Sequence, residues 1–215
     1  MKTSTTPDGH TNWHFSRAEL VALLAHASTD ATRFGMCGIG LDVASGAATA
    51  TDGHRAAKVW GERVNYDSAV VPTQTLVVDR QTIEAAVKVA KRDEEITITT
   101  RKEDEPVTVK IGDRVTATHL VNASHPPVDQ ILPKYEAKSH KGVVTGINSA
   151  YLADLDLVTY ACPPVVKDLP RGKKKKTYPS LMLFPPDEPL NPWFARVSCP
   201  QNATEWAVVI MPVRL

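Results

Sequence analysis

Apolar positions along this chain follow two periods, and the switch between them occurs three times. Phe15-Ser16-Arg17-Ala18-Glu19-Leu20 opens a run with helical spacing. Ser16 is a good N-cap, Glu19 completes a capping box, and Phe15 and Leu20 make a hydrophobic staple around the helix start. Val78-Asp79-Arg80-Gln81-Thr82-Ile83 repeats the staple with Asp79 as cap, and Ile147-Asn148-Ser149-Ala150-Tyr151-Leu152 repeats it with Asn148. The caps lie 63 and then 69 residues apart, a near-fixed period that marks a repeated supersecondary unit.

Strand-like sequence follows each helix start. After the first come Met36 to Val43, Ala47 to Ala50, Ala56 to Trp60 and Ala69 to Val71. After the second come Ile96 to Thr99, Pro106 to Ile111 and Arg114 to Leu120; after the third, Leu181 to Phe184, Phe194 to Ser198 and Trp206 to Met211. Turn pairs such as Ser45-Gly46 and Gly112-Asp113 separate them. The pattern predicts an α+β fold in which one helix plus several antiparallel strands is used three times.

Composition narrows the function. The 215 residues are 42% hydrophobic and 23% charged, enough for a core, and the net charge of +1 exerts no global pull on nucleic acid or membrane. Any DNA contact must come from a local patch. Cys37, Cys162 and Cys199 are odd in number, widely spaced and without a CxxC, so neither a disulfide framework nor a zinc site is expected, and a reducing cytoplasm fits. The seven histidines show no ligand spacing, so no metal or cofactor is expected. No apolar run is long enough to span a membrane, and residues 1–12 read as a disordered tail without a signal peptide. Gly35-x-x-Gly38-x-Gly40 has the wrong spacing for a dinucleotide site.

Two segments carry the candidate chemistry. Thr51-Asp52-Gly53-His54-Arg55 is a strand followed by a tight turn, and the chain closes on a strand running into Met211-Pro212-Val213-Arg214-Leu215. Asp52 and His54 are an unpromising catalytic pair: no Ser or Cys nucleophile motif lies nearby. Between the two segments stand Ile131-Leu132-Pro133-Lys134, preceded by Pro126, and Asn148 to Leu155. In this order the four segments resemble the bacterial replicative sliding clamps, the beta subunit of DNA polymerase III, over about 200 residues.

The resemblance implies a DNA-clamp fold, no catalysis, and a hydrophobic pocket for short peptides of the Gln-Leu-x-Leu-Phe kind from DNA polymerase and clamp-loader subunits. Carried over position by position, the pocket comprises Thr51, Gly53, His54 and Arg55 from the turn and Pro126 and Ile131 from the end of the middle domain. Asn148 and Tyr151 come from the third helix, and Val209, Met211, Pro212, Val213, Arg214 and Leu215 from the tail. Ala56, Gln130 and Val213 stand where the family usually has Leu, Arg and Met, which alters the expected pocket.

Residues 13–135 read as a complete middle-type clamp domain, and residues 136–215 as the second half of the last domain with a basic insertion over 167–180. Clamp helices line a hole that holds duplex DNA non-specifically. The matching basic residues are Arg17, Arg80, Lys88, Lys91 and Arg92, with Lys173, Lys174, Lys175 and Lys176 of the insertion as further phosphate contacts. The third helix is acidic instead, with Asp154 and Asp156. A half-domain leaves surfaces that a second copy of the chain would cover. By the family's count of about twelve units, roughly four chains close a ring, with a trimer as the other arrangement, through head-to-tail contacts. The alternative is a non-ring adapter or inhibitor that sequesters clamp-binding peptides. Either form belongs in the bacterial cytoplasm, as a bacterial or phage protein, with no membrane partner.

Overall fold

The computed structural model describes residues 1–6, 9–64, 75–100, 106–130, 132, 149–162, 165–169, 173–177, 181–184, 192–199 and 204–211. The pocket positions Ile131, Asn148 and Pro212 to Leu215, and the strand expected at Ala69 to Val71, lie outside them.

Three units are built on the expected helices. In the first, β2 (Thr11–Ser16) leads into α1 (Arg17–His26), followed by β3 (Gly38–Asp42), β4 (Ala47–Thr51) and β5 (Arg55–Trp60). In the second, β7 (Thr75–Asp79) leads into α2 (Arg80–Val89), then β8 (Glu95–Thr100), β9 (Val107–Ile111) and β10 (Arg114–Thr118). The third has α3 (Ser149–Ala161), then β13 (Leu181–Phe184), β14 (Trp193–Cys199) and β15 (Thr204–Ile210). The first two starts are capped as the sequence predicts. The Glu19 amide donates to Ser16 Oγ at 3.2 Å, the Ser16 amide donates back to Glu19 Oε2 at 2.8 Å, and the Thr82 amide donates to Asp79 Oδ1 at 2.8 Å.

Units one and two exchange their leading strands. β2 pairs with β8 and β7 pairs with β3, both antiparallel, so neither unit closes without the other. The first and third units join differently, through their last strands: β5 and β15 pair antiparallel from Glu205↔Trp60 to Ile210↔Arg55. The outcome is a seven-stranded sheet, β13-β14-β15-β5-β4-β3-β7, and a six-stranded sheet beginning β10-β9-β8-β2. One core fills the space under both. It takes Trp13, Phe15, Ile96 and Ile98 from one sheet, Ile39, Leu41, Val59 and Val208 from the other, and Leu20, Leu23, Ile83 and Val158 from the helices. Helix α1 lies between α2 and α3, in contact with both.

Two expectations are corrected, and one segment has more structure than its sequence announces. Residues 1–12 are not a disordered tail: β1 (Lys2–Thr5) pairs antiparallel with β2 and parallel with β6 (Glu62–Val64). Met1 is buried, and its amino group bonds the carboxylate of buried Glu19 and, at 3.1 Å, Thr204 Oγ1. The polar Lys-Thr-Ser-Thr sequence hides a strand that partners alone reveal. The basic insertion is a hairpin, β11 (Val165–Leu169) with β12 (Lys173–Thr177), in the register Asp168↔Lys174. Its strand character comes from pairing, since lysine is depleted in strands. Cys162 and Cys199 form a disulfide between the end of α3 and the end of β14, with Cα atoms 5.6 Å apart, because the fold brings together cysteines separated by 37 residues.

His26 ends α1 fully buried, with Nδ1 donating to the Ala22 carbonyl at 2.8 Å and Nε2 without a hydrogen-bond partner. Burial, aided by the positive charge of Arg55, pushes its pKa down to about 4 against the Ala22 bond, which acts the other way. The folded protein therefore refuses a proton that the unfolded chain accepts. Stability from this site is full above pH 6.5 and is lost as pH falls toward 4. Between pH 7 and pH 4 that loss is about 3 kcal/mol. In urea unfolding at the two pH values, His26→Leu is expected to show a correspondingly smaller acid loss than the parent.

Candidate functional site

The turn after β4 is set by its own side chains. Gly53 has φ +90°, a conformation that glycine takes without strain. Asp52 closes the turn: Oδ1 accepts the amides of His54 and Arg55 at 2.9 and 3.0 Å, and Oδ2 accepts Arg55 Nε at 3.0 Å. Thr51 is buried, donates to the Arg55 carbonyl at 2.7 Å and accepts the Gly53 amide at 3.1 Å. The Asp52 carboxylate is thus committed to holding the turn, with its partner His54 exposed. That arrangement supplies a shaped edge, with the carboxylate spent on holding it.

The turn receives the end of β15. The Met211 amide donates to the His54 carbonyl at 2.9 Å, extending the pairing one residue beyond Ile210↔Arg55. Strand alternation then sorts the site into two layers. Ile210 belongs to the central core, so Arg55 opposite it faces the helices. There Arg55 bonds the Asp154 carboxylate of α3, and its guanidinium lies 4.6 Å from the centre of the Tyr151 ring. The expected pocket members Arg55 and Tyr151 are therefore a joint between the first and third units, with acidic Asp154 as their partner.

The other layer faces away from the helices. Val209 pairs with Ala56 on β5 and with Phe194 on β14, and Phe194 stacks on Phe184 with ring centres 5.6 Å apart. Phe194, Ala207 and Val209 form a second apolar cluster, with Trp60, Leu132 and Phe184 against it. Met211 stands on the same face by alternation and is 39% exposed. The Pro126–Leu132 segment borders this layer and includes a short 3-10 turn (Val128–Gln130). Asp129 of that turn bonds Lys58, whose Nζ lies 5.7 Å from the centre of the Trp60 ring. His125 Nδ1 lies 2.9 Å from the Pro126 carbonyl oxygen, and its buried ring sits over Gly40, where any Cβ would come within 2.6 Å of it. Burial lowers the His125 pKa, so the neutral ring holds this position. Close approach to this ring, not a dinucleotide, accounts for Gly40.

Thr51, Gly53, His54, Val209 and Met211 are thus gathered at one end of the β5–β15 pair, with Pro126 on the segment alongside. Sequence reading missed Trp60, Phe184, Phe194, Ala207 and Leu132. The available signal was the unbroken apolar run from Trp206 to Ile210, which marks a strand buried on both faces.

The basic residues divide as well. Arg80 Nη1 donates to the carbonyls of Leu24 and Ala27, each at 3.0 Å, closing the end of α1, while its Nε pairs with Glu84 at 2.7 Å. Arg17 Nε donates to the Val87 carbonyl at 2.9 Å near the end of α2. Both arginines join α1 to α2. Lys88, Lys91 and Arg92 are exposed at the far end of α2 and just beyond it.

As a sequence, the chain matches no family model and no curated protein. Its fold is that of bacterial sliding clamps. The DNA polymerase III beta subunit of Pseudomonas aeruginosa superposes with a TM-score of 0.53 at 17% identity, over 95% of this chain and 66% of that one. The corresponding subunit of Borrelia burgdorferi, solved in complex with a natural product, gives 0.54 at 14% identity, over 95% and 63%. The clamp of Bartonella birtlesii, solved bound to griselimycin, gives 0.52 at 17% identity, over 95% and 66%. The chain spans just under two thirds of the length of these clamp chains.

Arg55→Met would strip the turn and α3 of their shared cation and leave Asp154 facing a thioether. The expected cost is about 2 kcal/mol, the scale of hydrogen bonds to charged groups, read as a lowered midpoint in denaturant unfolding.

Proposed function

We propose that this chain is a sliding-clamp-like processivity factor. It binds short apolar peptides of DNA polymerase and clamp-loader subunits and, as a homo-oligomeric ring in the bacterial cytoplasm, encircles duplex DNA non-specifically, without catalysis or a cofactor. The observation that carries the reading is the β5–β15 pair. It brings the Thr51–Arg55 turn and the Met211 end together in one sheet, which supports a peptide site whose two walls come from one chain. The surroundings suit an apolar peptide. Met211 is exposed, flexible and polarizable, and Val209, Phe194 and Phe184 form a rigid floor beside it. A few such anchors carry most of the affinity in peptide grooves. Pro212, Val213, Arg214 and Leu215, with Ile131 and Asn148, are the further members that the resemblance assigns to this site. Lys88, Lys91, Arg92 and the lysines of β12 supply the phosphate contacts. Among the described residues no helix is long and apolar enough to cross a membrane.

One observation favours the second reading, an adapter that captures clamp-binding peptides without enclosing DNA. Arg17 and Arg80 are tied to helix carbonyls, and the exposed side of α3 carries Leu152, Asp156 and Tyr160 where a DNA channel calls for bases.

Deleting Arg214-Leu215 is expected to weaken binding of a Gln-Leu-x-Leu-Phe peptide at least about tenfold, roughly 1.4 kcal/mol, by fluorescence anisotropy. Unchanged affinity places the peptide elsewhere. Replacing Lys173 to Lys176 with Ser is expected to flatten the dependence of duplex DNA affinity on salt, since each phosphate contact contributes to that slope. An identical slope removes the hairpin from the DNA contact, and no DNA binding by the parent chain selects the adapter.

A further inference from the structure

The chain contains its own templates for what covers its uncovered ends. The three units meet in two ways. Last strand meets last strand at β5·β15, with α1 packed on α3. Leading strands are exchanged onto the strands that follow the helices at β7·β3 and β2·β8, with α1 packed on α2. The first unit is engaged in both ways. Among the described residues the second and third units are each engaged in one, and each leaves the other face open.

The second unit's open face is its last strand and helix. β10 ends its sheet, and Val115 on it is 62% exposed. Between β10 and α2 runs a groove of about 400 Å³ lined by Ala85, Val89, Ile111 and Ala117, with Val89 47% exposed. In the first unit the same place, beside β5 and α1, is filled by β15 and α3. The third unit's open face is the other kind. β13 is the first strand of the seven-stranded sheet after α3 and ends that sheet among the described residues, with Leu183 41% exposed; Leu152 and Tyr160 are exposed on α3. In the first unit the same place, beside β3 and α1, is filled by the second unit.

Neither open face fits the other, because last strands in this fold pair with last strands. β5 and β15 have already used theirs on each other, so β10 matches only β10 of another copy. The strands after the helices in units one and two are occupied by β7 and β2, so the α3–β13 face matches only its own counterpart. We infer that the chain assembles through two different self-complementary interfaces, β10–α2 against β10–α2 and α3–β13 against α3–β13, and so forms even-numbered dihedral assemblies and not a head-to-tail ring. Helices α2 and α3 flank α1 on opposite sides, so each copy joins two different neighbours, and four copies make the smallest closed arrangement. Pairing of β10 with itself about Thr116 sets Arg114 opposite Thr118 and Val115 opposite Ala117, with no like charges opposed. This inference rests on the proposed self-association and adds its symmetry; the peptide site lies within one chain and does not depend on it.

Val89→Glu and Leu183→Glu test it, one in each interface and both at partly exposed positions. Circular dichroism and thermal melts first establish that each variant folds. Native mass spectrometry over a concentration series is expected to show dimers and tetramers for the parent chain, dimers alone for either single variant, and monomers for the double variant. A trimer, a parent chain that stays monomeric, or monomers from either single variant overturns the inference; the last is the signature of a head-to-tail ring, in which every contact uses both faces. Peptide titration of the same samples reports separately on the functional reading. Affinity unaltered in all variants is expected, whereas absence of binding in every sample, whatever its mass, counts against the peptide site and not against the symmetry.

Discussion

The antiparallel pairing of β5 with β15 is the constraint on which the rest of this structure depends. It joins the third unit to the first, makes two short sheets into one of seven strands, and fixes which side chains share a face. The register sends Ile210 and Arg55 toward the helices and Val209 and Ala56 away from them. A one-residue shift of β15 along β5 would turn Val209 toward the helices and Ile210 away from them, while Arg55, held in place by the pairing of β5 with β4, would keep its side. The division of labour between the two layers follows from that register. Arg55, Asp154 and Tyr151 hold the units together, while Val209 and Phe194 are buried in the outer apolar cluster and Met211 stands exposed at its margin.

The same sheet carries the polar ties that hold the turn and the neighbouring segment. Asp52 uses both carboxylate oxygens on the turn, and Asp129 holds the Pro126–Leu132 segment through Lys58. These are polar ties at the margin of an apolar floor, where partial solvent access lowers the cost of keeping charges paired. The proposed recognition surface is therefore carried by strand backbone and short local bonds among the described residues.

Local features were legible in the sequence and distant ones were not. Ser16 with Glu19, and Asp79, announce helix starts because capping involves residues three apart, and Gly53 announces its turn because few other residues take that conformation. The turn and tail were legible only through a resemblance, and the structure divides their residues between two layers. Trp13 and Phe15 alternate as a buried strand does, yet the polar residues before them hide β1, whose burial depends on β6 and on the Met1–Glu19 contact. The lysine run of β12 gives no strand signal without its partner. Arg17 and Arg80 read as a basic stripe because charge is visible in sequence, whereas the helix carbonyls that occupy them are not. Cys162 and Cys199 lie too far apart along the chain for spacing to pair them.

The β5–β15 pair also sets an order in time. Its two strands, Arg55–Trp60 and Thr204–Ile210, lie far apart along the chain, so the contact closes a very large loop, and such contacts slow folding. The first two units, which exchange strands with each other, can assemble beforehand. Until the third unit docks, β5 is a bare edge beside the alanine-rich β4, a template that any extended segment could occupy. The strand that carries the turn of the proposed site is thus, earlier in the life of the molecule, an edge open to misassembly, and native pairing removes that hazard as it brings the turn and Met211 together.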